Sequence, residues 1–286
     1  MLSTHVQWPH VPSGTVRTAI QHLASLEKYQ HEKPFKIMLD VSDLGRPQSN
    51  YELLEATVDV TDAQPTRSRW SIQTNGFQFL SAPSQLRDGD FDDETQVKTL
   101  YYQEVLSAAK QLYPPGTEVH VLGYQRRTSK SVPSHELGHL VPVPYAHVDY
   151  SPAGSVTRCQ ELFSARPDLQ QRSFQIIQHW RVTKGPNYDW PLAVCDFQTI
   201  DVDRDIDEGD VVHRHHVGEH GLLYHHPGHR WYFLDGQSVE DVIMFRHSDS
   251  RGYVVSFSPH ASFDRAKEYG AVEGRESIEV TVACFL

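Results

Sequence analysis

The sequence predicts a single, mainly β domain, a barrel or a sandwich with helices packed outside it. From about residue 117 onwards, short β-prone runs alternate with Pro, Gly, Asn and Asp, which is typical of strands joined by turns. The 286 residues are 38% hydrophobic and 10% aromatic, enough to bury a core and to exclude wholesale disorder. We expect a helix-containing part, about residues 1–115, to pack on a β-core, about residues 117–286. A domain boundary near residue 115 is the alternative.

Two stretches of the first part predict helices. Between Thr15 and Tyr29, apolar residues recur at helical spacing. A clearer helical pattern follows the capping pair Asp92-Asp93, and Pro114-Pro115-Gly116 ends it. Further along, residues 151–166 predict a short helix or a loop, and residues 201–209 predict an acidic loop.

Seven β-prone runs predict the strands of the core. They are Glu118–Tyr124, Phe174–Thr183, Leu192–Phe197, His229–Leu234, Val242–Phe245, Tyr253–Ser258 and Ser277–Phe285. Antiparallel pairing of such strands requires no crossover helices, in agreement with the small number of helical patterns.

The composition narrows the class of function. With 26 basic and 37 acidic residues, the formal charge of −11 disfavours nucleic-acid binding, which depends on neutralising phosphates. No apolar run approaches the length of a membrane span, and the first residues show no signal peptide. Three widely spaced cysteines suit a reducing cytoplasm, where we expect the protein to act. The 18 histidines favour a metal enzyme, because histidine is the commonest metal ligand.

One candidate metal site is His135-Glu136-Leu137-Gly138-His139, which fits the His-Glu-x-x-His pattern of zinc peptidases. In that pattern two histidines one helical turn apart bind zinc, and the glutamate acts as the base. The context is unfavourable, because Pro142 follows closely and Tyr145 occupies the position of the third histidine in the extended motif.

A second candidate is His147-Val148-Asp149, half of the 2-His-1-carboxylate triad that holds Fe(II). Residues i and i+2 of a strand face the same side, so both side chains can reach one metal ion. His260, at the end of the predicted strand Tyr253–Ser258, supplies the second histidine. The similar pair His247-Ser248-Asp249 lies too close to His260 to form an opposing strand, and we interpret it as unrelated to the site.

Arg275 and Ser277 open the last predicted strand and face the same way. A guanidinium can bind a carboxylate through two parallel hydrogen bonds, and the hydroxyl adds another. Arg265 follows His260 too closely for a return strand, and we expect it in a solvated loop.

The third candidate metal site is the histidine-rich stretch between His213 and His229. Its histidine spacing matches no known metal site, and we interpret the stretch as a solvated loop and hairpin.

Several pieces of the chain, taken in order, resemble the AsaB-type hydroxylase/desaturase family of non-haem iron, 2-oxoglutarate-dependent oxygenases. This family includes the CmcJ protein of cephamycin methoxylation and fungal gibberellin desaturase. The matching pieces are Gly76-Phe77, Tyr101–Glu104, Val121–Arg127, His147–Ser151, Trp180-Arg181, Pro191–Asp196, His229–Phe233, Pro259–Phe263 and Arg275–Val280. The resemblance covers roughly residues 25 to 286.

The resemblance implies a double-stranded β-helix, a cupin-like jelly roll with flanking α-helices. It implies Fe(II) on His147, Asp149 and His260, with Arg275 and Ser277 binding the cosubstrate 2-oxoglutarate. O₂ would complete the reaction, in which an Fe(IV)=O unit abstracts hydrogen from a small molecule of secondary metabolism.

The outcome implied by the resemblance is hydroxylation, desaturation or oxidative cyclisation of an amino acid, a peptide, or a terpenoid or polyketide acid. Candidate residues of the substrate pocket are Trp180, Arg181, Tyr224, His229, Trp231 and Arg246. For Trp180 and Trp231, core packing is the alternative. Two other functions stay open: a zinc metallopeptidase built on His135, Glu136 and His139, and a cupin-like metal-binding protein without oxidative activity.

Overall fold

The computed structural model describes residues 14–130, 139–269 and 274–286. Within these ranges the strands are β1 Thr15–Leu23, β2 Phe35–Ile37, β3 Leu53–Asp62, β4 Phe77–Ser81, β5 Glu118–Thr128, β6 His139–Leu140, β7 His147–Val148, β8 Phe174–Lys184, β9 Leu192–Cys195, β10 Ile206–Val212, β11 Val217–Leu223, β12 Trp231–Phe233, β13 Asp241–Asp249, β14 His260–Ser262 and β15 Glu276–Phe285.

Short helices connect these strands. The α-helical segments are Ile72–Asn75, Glu94–Gln96, Tyr102–Lys110, Pro152–Leu162, Pro167–Gln170, Val202–Asp205 and Ala266–Tyr269. Short 3₁₀ helices cover Glu27–Gln30, Ser42–Leu44, Gln64–Arg69, Asp88–Asp92 and Phe197–Thr199, and Val97–Tyr101 forms a π-helical turn. No helix of the described residues has the length and apolar character needed to cross a membrane.

The strands form two sheets. One has nine strands in the order β1-β3-β12-β9-β14-β7-β11-β10-β2, and the other has six in the order β4-β13-β8-β15-β5-β6. Most neighbouring pairs are antiparallel, as in β15 with β5 and β8. An apolar cluster joins the sheets, with Trp180 and Phe245 from the six-stranded sheet and Leu192 and Val194 from the nine-stranded one.

Strand β15 separates the outer core from the interior of the molecule. Ile278, Val280 and Val282 pack outwards against the helical segment that carries Val97 and Val105. Because side chains alternate along a strand, Ser277, Glu279 and Thr281 face inwards, on the same side as Arg275. This alternation brings the polar residues of β15 to the site described below.

The predicted helix after Asp93 is present, and the Asp93 carboxylate accepts the backbone N–H of Thr95 at 2.8 Å. The predicted helix between Thr15 and Tyr29 is wrong, because Thr15–Leu23 is a strand that pairs along its whole length with β3. The first 115 residues therefore supply strands to both sheets in addition to helices.

Two predictions in the second half also need correction. Residues 253–258 do not form a strand, and the strand that carries His260 is His260–Ser262. The predicted acidic loop at residues 201–209 contains a helical turn and the start of β10, whose strand character depends on pairing with β11 and β2.

Candidate metal centre and cosubstrate site

Two short neighbouring strands bring together three side chains that could bind a metal ion. His147 in β7 lies directly opposite His260 in β14. Asp149 follows His147 by two residues, and its Oδ1 atom lies 3.2 Å from His147 Nε2. Ligand atoms of His147, Asp149 and His260 all lie within 4.8 Å of one another. Such a group can bind one metal ion and leave open positions for other ligands.

Backbone carbonyl groups orient the two imidazole rings. His147 Nδ1 lies 2.9 Å from the Tyr145 carbonyl oxygen, and His260 Nδ1 lies 3.4 Å from that of Ser258. When Nδ1 donates its proton to a carbonyl group, Nε2 keeps the lone pair that a metal ion needs. In both cases the carbonyl group that accepts this hydrogen bond belongs to the residue two positions before the histidine.

The electrostatic environment favours the protonation states of metal ligands. Burial raises the pKa of the Asp149 carboxyl, but His247, His147 and His260 outweigh it and hold this pKa well below its usual range. Burial and the neighbouring His147 lower the pKa of His260 well below its usual range. At neutral pH Asp149 is therefore an anion and His260 is a neutral donor.

A third histidine, His247 on β13, contacts Asp149 from the other side. Its Nδ1 accepts the backbone N–H of Asp149 at 3.3 Å, and its Nε2 lies 3.3 Å from Asp149 Oδ2. Both contacts fit one tautomer, with the proton on Nε2. The His-x-Asp pair at His247 is the sequence signal for this residue, and the interpretation of the pair as unrelated to the site, based on local spacing, is wrong for His247. Asp249 lies apart and accepts from Gln175 and Arg251.

Arg275 is 1% exposed and presents one edge of its guanidinium without a partner. Its Nη1 donates to the Trp190 carbonyl oxygen at 2.8 Å and to Ser262 Oγ at 2.9 Å. Among the described residues, its Nε and Nη2 and the buried Ser277 hydroxyl find no hydrogen-bond partner. Burying such donors unpaired is costly, and a carboxylate binds the Nε–Nη2 edge through two parallel bonds. These atoms fit a carboxylate of 2-oxoglutarate.

The position of Arg275 relative to the triad supports this fit. Ser262, which accepts from Arg275, lies two residues after His260 on the same strand, so both face the same side. The Arg275 Cζ atom lies 5.5 Å from the centre of the Trp180 ring. Burial, and then the nearby Arg127, lower the pKa of Arg275 to about 9, so an added anion relieves an unfavourable buried charge.

A cavity of about 500 Å³ opens onto His147 and Asp149. Its apolar lining includes Leu122, Val143, Tyr145, Tyr150 and Val211, and its polar lining includes Lys36, Arg127, Gln178, Glu279 and Thr281. This volume and mixture of walls are typical of pockets for small organic molecules.

The six residues predicted for the substrate pocket do not line this cavity. Trp180 and Trp231 are buried in apolar clusters, as the alternative of core packing predicts. Arg181 follows Trp180 and therefore faces the outer side of the sheet, where it donates to the Ala82 carbonyl oxygen at 2.5 Å and stacks on Tyr101.

The other three predicted pocket residues are held by polar partners elsewhere. Tyr224 donates to Asp207 at 2.8 Å, and His229 Nε2 lies 2.9 Å from Asp205 Oδ2. Arg246 donates to Gln175 and to Ser256, in a separate part of the molecule. The sequence resemblance aligns these residues in the chain but does not specify the face of the sheet on which each one lies.

Arg265 differs from its prediction as a solvated loop residue. It is 5% exposed and donates to Asp235 and Glu268.

In the zinc-peptidase pattern, His135 and Glu136 lie outside the described residues. His139 is buried in β6, with Nε2 3.9 Å from Asp92 Oδ1, and does not belong to the group formed by His147, Asp149 and His260.

Two facing β-sheets that carry a His-x-Asp pair, a second histidine and a buried arginine form the arrangement of the mononuclear non-haem iron oxygenases. The chain belongs to the family described as the oxidoreductase/YMDC permease-like domain, whose model matches residues 23–285.

Curated relatives agree with this class. The chain is 27% identical to the Fe(II)/2-oxoglutarate-dependent dioxygenase nvfI of Aspergillus novofumigatus, over 84% of this chain and 87% of the relative. It is 23% identical to the alpha-ketoglutarate-dependent dioxygenase tstK of Talaromyces stipitatus, over 84% and 89%. It is 22% identical to the gibberellin cluster GA4 desaturase of Gibberella fujikuroi, over 86% and 92%.

The solved structure of the iron and alpha-ketoglutarate-dependent endoperoxidase NvfI covers 96% of this chain and 98% of its own, with a TM-score of 0.81 and 23% identity. The predicted jelly roll is thereby confirmed. The predicted relationship to iron- and 2-oxoglutarate-dependent oxygenases is also confirmed, and the chain is an oxidoreductase of the dioxygenase class. Neither the zinc peptidase nor the non-oxidative cupin finds support among these relatives.

Proposed function

We propose that His147, Asp149 and His260 bind Fe(II), and that Arg275 with Ser277 binds the far carboxylate of 2-oxoglutarate. The enzyme would use both to hydroxylate, desaturate or oxidatively cyclise a small molecule of secondary metabolism. The substrates that we consider are an amino acid, a peptide, and a terpenoid or polyketide acid.

The observation that carries this proposal is the unpartnered edge of Arg275 beside a ready-made triad. A metal-binding jelly roll without oxidative activity has no need for a buried guanidinium edge and a buried hydroxyl that both lack partners among the described residues. The triad alone would fit several metal enzymes, whereas the triad with this arginine fits a dicarboxylate cosubstrate.

The residues of this chain then have separate tasks. Fe(II) held by His147, Asp149 and His260 and 2-oxoglutarate held by Arg275 would together activate O₂, so that one oxygen atom would convert 2-oxoglutarate to succinate and CO₂ and the other would oxidise the substrate. His147, Asp149 and His260 fix the metal geometry, and Arg275 sets the direction of the cosubstrate. Phe245, whose ring centre lies 4.6 Å from that of His260, helps to exclude water from the metal.

The test adds Fe(II) and 2-oxoglutarate to the metal-free protein under anaerobic conditions. We expect a weak visible charge-transfer band, and succinate once air is admitted with candidate substrates. His147→Ala, Asp149→Ala and His260→Ala should each abolish the band and the turnover, because each removes one of three metal ligands.

The control variants are His135→Ala and His139→Ala, which remove the histidines of the zinc-peptidase pattern. We expect both to retain the band and substantial succinate formation. Loss of metal binding in these two variants, with the triad variants unaffected, would exclude the proposed oxygenase site.

A further inference from the structure

Among the described residues, Lys36 is an unpaired cation in the wall of the cavity that opens onto His147 and Asp149. It lies at the centre of the short strand β2, next to β10, and is half-buried. Its Nζ atom lies 5.4 Å from the centre of the Tyr145 ring, and this ring lies 5.0 Å from that of His147. The amine is therefore separated from a triad histidine by a single aromatic ring.

The other charged side chains of this cavity already have partners of opposite charge. Arg127 pairs with Glu279 at 2.8 Å, and Arg158 pairs with Glu161 at 3.1 Å. Glu219 contacts Lys33 and the Ser151 hydroxyl. Within residues 14–130, 139–269 and 274–286, no carboxylate lies within ion-pair distance of Lys36. Asp149 contacts His147 and His247. Lys36 is therefore the one charged side chain of the described cavity wall that has no partner of opposite charge.

Burial, and then the charge of Arg127, lower the pKa of Lys36 below its usual value. The ammonium group thus lacks both full hydration and a neutralising anion. An anionic group placed against it would restore the missing interaction, and the apolar walls around it would exclude competing water.

The remaining walls indicate what such an anion is attached to. Met38, Leu140, Val141 and Val217 are all exposed side chains of the cavity lining, with exposed fractions from 37% to 64%. Clustered apolar side chains around a concave opening favour an apolar ligand. Among the described lining residues no carboxylate other than Asp149 is unpaired, so a ligand ammonium group would find no free partner of opposite charge there.

We infer that Lys36 binds the carboxylate of a substrate that is otherwise apolar and carries a single negative charge. This inference rests on the proposed function and selects, among its substrate classes, the carboxylic acids without an amino group. Lys36 is a specificity residue that anchors the substrate at one end and leaves its carbon skeleton between the anchor and the metal.

The test measures equilibrium binding to the protein loaded with Mn(II) and 2-oxoglutarate. The probes are 3-phenylpropanoate, its primary amide, and phenylalanine, which adds an ammonium group to the same skeleton. Abietate and its amide extend the series to a ligand that fills more of the cavity. We expect at least one acid to bind tenfold or more tightly than its amide, and phenylalanine to bind more weakly than 3-phenylpropanoate.

In Lys36→Met the ratio of acid to amide affinity should fall close to one while the amide affinity stays unchanged, since the methionine keeps the length and apolar character of the stem. Lys36→Arg should restore the acid preference, which a merely structural role of Lys36 would not predict. Lys98→Met, which removes the same charge from the exposed helix where Lys98 pairs with Glu94, is the matched control and should keep the preference.

The outcomes separate this inference from the proposed function. If wild-type protein shows no charge-transfer band with Fe(II) and 2-oxoglutarate, the proposed function fails. If the band is present but no acid binds better than its amide, the Lys36 inference fails. It also fails if Lys36→Met keeps the preference, or if phenylalanine binds more tightly than 3-phenylpropanoate.

Discussion

Arg275 is the residue whose replacement tests the cosubstrate separately from the metal. Lysine keeps the charge but offers one compact ammonium group in place of a two-bond edge. We expect Arg275→Lys to raise the KM for 2-oxoglutarate by about tenfold to a hundredfold, the range expected for a lost charge-assisted bond, with little effect on Fe(II) affinity. Arg275→Ala should raise it further, because the carboxylate would be buried without a partner.

A matched control for Arg275 is Arg181→Lys. Both arginines are almost completely buried, and both lie near aromatic rings, but Arg181 faces the outer side of the six-stranded sheet. Its replacement should lower the melting temperature without changing the KM for 2-oxoglutarate. An equal rise in KM in both variants would show that the effect comes from general loss of structure.

His247 contacts Asp149, and its replacement tests whether this contact supports metal binding. Removing its ring in His247→Ala leaves the backbone N–H and one carboxylate oxygen of Asp149 without their partner. Loss of such an orienting group typically weakens metal binding by about tenfold to a hundredfold. We expect a weaker Fe(II) affinity of that order, measured by equilibrium titration under anaerobic conditions.

The neighbouring Asp249→Asn variant is the control, since Asp249 contacts Arg251 and Gln175 and lies apart from the triad. Its Fe(II) affinity should equal that of the wild type. If His247→Ala binds Fe(II) as tightly as the wild type does, His247 has no part in positioning Asp149.

The candidate site divides into a part that the sequence predicts and a part that it does not. His147 and Asp149 follow from the two-residue spacing of a strand, and the order of His260 and Arg275 follows from the family resemblance. His247 and Lys36 lie on strands that pair with distant partners, and no local pattern indicates that His247 contacts Asp149 or that Lys36 lines the cavity. A sequence specifies which residues alternate, but long-range pairing decides which of them meet.

At the scale of elements, the strand β1 shows why a helix was predicted where none exists. Val16 and Ile20 are four residues apart, a spacing that fits both a helical turn and every second residue of a strand. Thr18 and His22 lie on the same face of the strand as Val16 and Ile20. Because Thr18 and His22 are polar, the sequence does not show the alternation of apolar and polar residues that is typical of a strand. Backbone pairing with β3 along the whole segment stabilises the strand instead of a helix.

Gly76 gives a prediction at this scale, because it joins a helical turn to strand β4. It has a φ of +84°, and a Cβ atom on it would lie 2.1 Å from the Phe257 carbonyl oxygen. Both the left-handed backbone and the close approach require glycine. We expect Gly76→Ala to lower the free energy of unfolding by about 1–3 kcal/mol, as measured by denaturant titration.

Gly89→Ala is the control for this element, since nothing lies within 4 Å of a Cβ atom at that position and its φ is not left-handed. Its free energy of unfolding should change by less than about 0.5 kcal/mol. Equal stability of the two variants would mean that β4 does not hold Gly76 against Phe257.

At the scale of the whole molecule, the triad joins parts of the chain that are far apart in sequence. His147 and Asp149 come from one central strand and its extension, and His260 comes from the neighbouring strand near the end of the chain. Because the unfolded chain separates these ligands, a metal ion that they bind should stabilise the folded state by mass action.

This argument predicts a stability effect that needs no substrate and no oxygen. Mn(II) at a hundred times its Kd should stabilise the wild type by about 2.7 kcal/mol, which for a chain of 286 residues corresponds to a rise in melting temperature of about 4–5 °C. A chelator should reverse the rise. His260→Ala should lose most of it, because one of the three ligands is gone, while His139→Ala should keep it. A rise that disappears in His139→Ala and persists in His260→Ala would place the metal ion at β6 and contradict the assignment of the triad.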